Sequence, residues 1–136
     1  MKNNFRPIII GSLLSVFILL SCSEKGPSRD EIPLIRTLLQ NFEEAVREQN
    51  QARLDSMIVA EALQLGYSSE KILTDVYGSA GEGTFYTFGN KEFFYVVDKG
   101  VVNCFIKADS ADPGRPVEIT LVKAANTWLI KRFDLK

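Results

Sequence analysis

The hydrophobic period of this chain changes once, from about 3.6 to about 2, across the run GSAGEG at 78–83, which restricts the fold to helices first and a sheet afterwards. Upstream, Ile35, Leu38, Leu39, Phe42 and Val46 recur at helical spacing, with Arg36, Glu43, Arg47 and Glu48 on the other side. A helix is expected to begin near Asp30, because Ser28-x-x-Glu31 fits a capping box and Pro33 suits a first helical turn. Asn50 can cap a second helix carrying Leu54, Met57, Ile58, Ala62 and Leu65, stopped by Gly66. Ser68 or Ser69 can cap a third, with Ile72, Leu73 and Val76, ending at Gly78. Downstream, the segments 84–88, 91–97, 101–108, 116–123 and 127–134 read as strands. Turn chemistry separates them: Gly89-Asn90, Asp98-Lys99-Gly100, Asp112-Pro113-Gly114 and Ala125-Asn126. The expected fold class is α+β, with about three N-terminal helices packed on a bent five-stranded antiparallel meander, in a single domain over 30–136.

Composition narrows the chemistry. The chain has no histidine, which removes the commonest general base and the commonest metal ligand. Its net charge is −1 and no basic stripe runs along it, so nucleic acid is not an expected partner. The run from Ala62 to Leu73 superficially resembles a helix-turn-helix, but helix packing accounts for the same residues. GSAGEG lacks the Gly-Lys-Ser/Thr ending of a phosphate-binding loop and reads as a connector. Cys104 has no histidine to activate it and reads as a buried structural thiol. Glu43-Glu44 and the pair Asp109 and Asp112 lack metal-loop spacing and read as a solvated helix face and a turn. No catalytic residue, metal ligand or cofactor is expected.

The N-terminal segment has the parts of an export signal. Lys2 and Arg6 precede an apolar core over 8–20, interrupted only by Gly11, Ser12 and Ser15. That core is shorter than the roughly 20 apolar residues of a spanning helix. It ends in Leu19-Leu20-Ser21-Cys22, which resembles a bacterial lipobox. The resemblance implies that 1–21 is a cleaved signal peptide and that Cys22 carries the lipid, acyl chains such as palmitate among its components. Residues 22–29 then form a lipidated cysteine and short tether. The chain would sit in the cell envelope on the exported side, with the outer membrane favoured where one exists, since Ser23 rather than Asp follows Cys22. Two acyl chains are enough for stable attachment. The polar run 23–29 reaches at most roughly 25 Å, so the domain is expected to work close to the bilayer.

Loop lengths suggest a draft pairing. A two-residue turn at Gly89-Asn90 sets Tyr86 opposite Phe93, and a three-residue turn at 98–100 sets Tyr95 opposite Asn103. One face then holds Tyr86, Phe88, Phe93, Tyr95, Val97, Val101, Asn103 and Phe105, and the other Phe85, Phe94, Val96, Val102, Cys104 and Ile106. Both are apolar, so something is expected to cover the second face: curling helices, a second subunit or an apolar ligand. In the last two strands Val117, Ile119, Leu121, Trp128 and Ile130 can share one side, opposite Glu118, Thr120 and Lys131.

Helices, a connector and a meander closing in Trp128-Leu-Ile130-Lys-Arg-Phe133 resemble the nuclear-transport-factor-2-like, or SnoaL-like, fold, with the cystatin-like arrangement as its near neighbour. The resemblance implies a cone with a pocket between helices and sheet, where Tyr86, Tyr95 and Asn103 could orient a ligand. The same residues can equally be a cross-strand pair beside core aromatics. The function expected is a non-enzymatic, membrane-anchored binding or interaction module, with a protein partner or a homodimer through the sheet face. An isomerase- or cyclase-like enzyme on the same scaffold, or a cystatin-like inhibitor, are the alternatives.

Overall fold

The structure is a computed structural model that describes residues 30–78 and 83–136; the signal segment, Cys22 and the tether lie outside the described residues. Four helices precede a four-stranded antiparallel sheet in the simple order β1-β2-β3-β4: α1 (Ile32–Arg47), α2 (Gln51–Met57), α3 (Ala60–Gln64), α4 (Ser69–Tyr77), β1 (Thr87–Val96), β2 (Lys99–Lys107), β3 (Arg115–Ala124) and β4 (Thr127–Leu135). The class is α+β, with one helix more and one strand fewer than the sequence pattern implies.

The extra helix comes from a break at Ile58-Val59. These two β-branched residues leave the helical path, and the Val59 N–H donates to the Ile130 carbonyl (2.9 Å), so that Ile58 bridges Ile130 in parallel. The short extended stretch covers the open edge of β4, where unpaired backbone groups would otherwise face solvent. The caps expected for the second and third helices do form. Asn50 and Ser68 each accept a backbone N–H three residues on, from Arg53 and Lys71. Gly66 closes α3 in the left-handed region (φ 87°), which glycine enters without steric cost.

The missing strand has the same kind of cause. Gly89-Asn90 does not turn the chain back; it makes a β-bulge inside one long strand. Pairing on β2 runs Gly89 to Phe105 and then Glu92 to Asn103, and Asn90 takes φ 53°. A hairpin turn and a bulge both call for a residue that tolerates positive φ, so the same dipeptide serves either. The bulge also changes which side of β1 points inward: Phe88 is inside before it, Phe93 and Tyr95 after it. A second irregularity, in β4 opposite the Thr120-Leu121 step of β3, leaves Lys131 as the extra residue and places Ile130 and Phe133 both inside although they are three apart.

The drafted pairing is corrected accordingly. Val97-Asp98 forms a two-residue turn, with Val96 opposite Lys99, Phe93 opposite Val102 and Glu92 opposite Asn103. The register differs from the draft by an odd number of residues, which exchanges faces. Tyr86, Phe88, Phe93 and Tyr95 share the inner face with Val102, Cys104 and Ile106, while Val101, Asn103 and Phe105 lie outside with Phe94 and Val96. In β3 and β4 the expected inner set of Val117, Ile119, Leu121, Trp128 and Ile130 is buried.

Helix α1 is joined to the sheet at both ends. Near its start Glu31, almost fully buried, accepts from Lys123 Nζ (2.8 Å) through one oxygen and from Trp128 Nε1 (2.9 Å) through the other. One helical turn short of its end, Glu43 accepts from the Phe88 N–H (3.2 Å) and Lys91 Nζ (3.0 Å), beside the bulge. Glu43 is therefore not part of a solvated face, although its neighbour Glu44 is, where it pairs with Arg53. Between these ties Phe42 stacks against Phe88 and Phe133, each at 5.8 Å between ring centres, and fills the middle of the helix–sheet interface. Arg115 of β3 donates to the carbonyls of Asp75 and Val76 (3.1 and 2.8 Å), satisfying the last turn of α4.

Candidate functional site on the outer face of the sheet

The three residues that sequence reasoning grouped as ligand contacts are not brought together. Tyr86 is buried at one end of the inner face, edge-on to Tyr77 (5.2 Å between ring centres) and beneath the Arg115 guanidinium. Tyr95 is also inside, but at the other end, edge-on to Trp128 (6.5 Å). Asn103 is on the outer face, opposite Glu92. The interior they were expected to line is occupied by Phe42, Phe88 and Phe133.

Cys104 is buried on the inner face, and burial pushes its thiol up to about 11, so at neutral pH it is a protonated core residue. Tyr77 is also raised by burial; its hydroxyl donates to the Val46 carbonyl (3.0 Å) in the last turn of α1. Asp109 and Asp112 accept backbone N–H groups of their own turn, Asp109 from Ala111 and Asp112, and Asp112 from Ala108 and Gly114. Those bonds to its charged form hold Asp112 below the usual carboxylate range. Among the described residues no group of three or more histidine, cysteine or acidic side chains is placed to hold a metal ion.

The outer face is different. Alternation sends Phe94, Val96, Val101 and Phe105 outward from β1 and β2, and among the described residues no helix packs on them. Two open recesses run along this face. One, of about 370 Å³, is formed by Phe94, Val96, Val101, Thr120 and Val122 and bordered by Lys99 and Lys131; no carboxylate is among the described residues lining it. The other, of about 560 Å³, is more polar: Glu92, Asn103, Phe105, Pro116, Glu118 and Lys136 border it. Lys136 and Glu118 pair across its rim at 3.3 Å. The arrangement offers flat apolar contact with charged margins.

The signal for this face is present in the sequence as two-sided apolarity; the β1 residues fall on the expected faces, and the β2 residues exchange faces because the β1–β2 turn is the two-residue Val97-Asp98 and not a three-residue turn at 98–100. Neither family models nor curated proteins give a match to this chain.

Proposed function

We propose that the chain is a cell-envelope lipoprotein, anchored through lipid on Cys22, whose domain acts as a non-enzymatic interaction module presenting the outer face of its sheet. The observation that carries this reading is the contrast between a filled inner face and an outer one that none of the described helices covers. Phe42, Phe88 and Phe133 occupy the space a substrate would need between helices and sheet, whereas Phe105 stays open beside Glu92, Glu118 and Lys136. An apolar centre with a polar margin is the usual make-up of a protein–protein contact. The partner is taken to be a protein of the envelope, with a second copy of this chain as the simplest case. The nuclear-transport-factor-2-like or cystatin-like ancestry of the scaffold belongs to this proposal too, supported in outline by helices preceding an antiparallel meander. An isomerase- or cyclase-like activity would need Tyr86, Tyr95 and Asn103 around one space, and their separation weighs against it.

The test is site-specific photocrosslinking in cells making the intact lipoprotein, with the reactive residue at Phe105 or, as control, at Glu70 on α4. A discrete adduct from position 105 and none from 70 is expected. Equal labelling, or none from 105, would overturn the outer face as the contact. Metabolic palmitate labelling that is lost in Cys22→Ala tests the anchor separately.

A further inference from the structure

The turn between β1 and β2 carries an unusual tip. Val97 is 81% exposed and takes φ 56°, a left-handed conformation in which a β-branched side chain is strained and which asparagine, aspartate or glycine would adopt at less cost. Val96 and Phe94, 74% and 57% exposed, continue the apolar surface down the outer face. The two-residue turn accounts for the left-handed backbone but not for the choice of an exposed valine there, where a polar turn residue would serve the hairpin at less cost. The apolar recess behind this tip is bordered by Lys99 and Lys131.

The end of the sheet that bears the tip is also the end at which the tether enters. Glu31, one residue after the first described position, is bound to Lys123 and Trp128, and the Lys123 N–H donates to the carbonyl of Asp98 in the same β1–β2 turn (2.7 Å). The tether of 23–29 spans at most roughly 25 Å, so an anchored chain keeps this end within reach of the bilayer. The turn with Asp109 and Asp112 lies at the opposite end of β2, and at the tip itself the single exposed carboxylate of Asp98 stands between Val97 and Lys99.

We propose that Val97, Val96 and Phe94 dock the domain on an anionic lipid surface, with Lys99 and Lys131 facing the headgroups. This rests on the Cys22 anchor and sets the orientation of the domain, leaving the Glu92–Glu118 recess of the same face, farther from the tip, free for a protein partner. Apolar side chains would enter the headgroup boundary while lysine stems run alongside and hold their ammonium groups at the phosphates.

The test uses the intact lipoprotein in vesicles of phosphatidylethanolamine and phosphatidylglycerol, with an environment-sensitive fluorophore on Val97→Cys or on Ser110→Cys at the opposite end. The buried, poorly ionised Cys104 does not compete for the label. With nitroxide-bearing lipids, quenching at 97 is expected to exceed that at 110 by about threefold or more, and to fall when phosphatidylcholine replaces phosphatidylglycerol. Equal quenching at both positions in protein that floats with the vesicles overturns the docking while leaving the anchor standing. Undiminished quenching in phosphatidylcholine overturns the role of the lysines. A blue shift at 97 without lipid quenching means the tip meets a second copy instead, and also overturns the proposal. Protein that fails to float overturns the anchor itself.

Discussion

The two faces of this sheet have similar apolar residues and opposite fates. Inside, Val102, Cys104 and Ile106 of β2 are buried with Phe42, Phe88 and Phe133; outside, Phe105 of the same strand and Phe94 and Val96 of its neighbour are exposed, and Val101 is half-buried. The difference teaches that apolarity here does not define the core; the helices do, by choosing one face. Glu31 and Glu43, which hold α1 over that face, are as much part of the decision as the side chains beneath it.

The largest expected effect separates the faces directly. Phe133→Ala should lower unfolding free energy by about 3–5 kcal/mol, while Phe94→Ala should stay within about 0.5 kcal/mol. Urea denaturation followed by the fluorescence of the single tryptophan measures both, and equal losses would erase the distinction. Glu31→Ala comes next, at about 2–4 kcal/mol, because it leaves the Lys123 ammonium and the Trp128 N–H without their shared acceptor at a buried site. Lys123→Ala combined with Glu31→Ala should cost less than the sum of the two, and strict additivity would break the assignment. A smaller effect tests the bulge that sets the parity of β1. Asn90→Val should cost about 1–3 kcal/mol through its positive φ, and Asn90→Gly much less; stability unchanged by valine would mean that the position is not held left-handed.

The smallest is a pH effect far from both faces. Asp112 is held below its ordinary value by hydrogen bonds to its charged form, so its contribution is present above the unfolded carboxylate range and is lost as pH falls through the folded value. Asp112→Asn should flatten only the acid limb of a stability–pH profile, and a change near neutrality would contradict the sign. Because the carboxylate lies in a solvated surface turn, the change is expected to be slight.

What was legible beforehand follows from which signals are local. Asn50, Ser68 and Gly66 act within three or four residues and did what the sequence implied. The alternation in β3 placed Val117, Ile119 and Leu121 correctly because its phase is unbroken from Val117 to Leu121. Gly89-Asn90 failed because positive φ is common to a turn and a bulge, and only the partner strand decides between them. Ile58-Val59 looked helical because its competitor, the edge of β4, is about 70 residues away in sequence. Glu31 fits a local capping box with Ser28, which lies outside the described residues; the structure shows its carboxylate serving Lys123 and Trp128, contacts no spacing rule reveals. The outer face was legible as an excess of apolar residues and illegible in membership, since one odd shift reassigns every residue of a strand.

The Glu31 contacts also have a mechanical meaning. A pull arriving through residue 30 meets the bonds to Lys123 and Trp128 before it meets the helix behind them. Tension is thereby passed to the β3–β4 hairpin instead of unwinding α1 from its first turn. A domain moored by one end of its chain would have its point of attachment clamped to its sheet, so that drag on the body would strain a cross-link rather than fray a terminus.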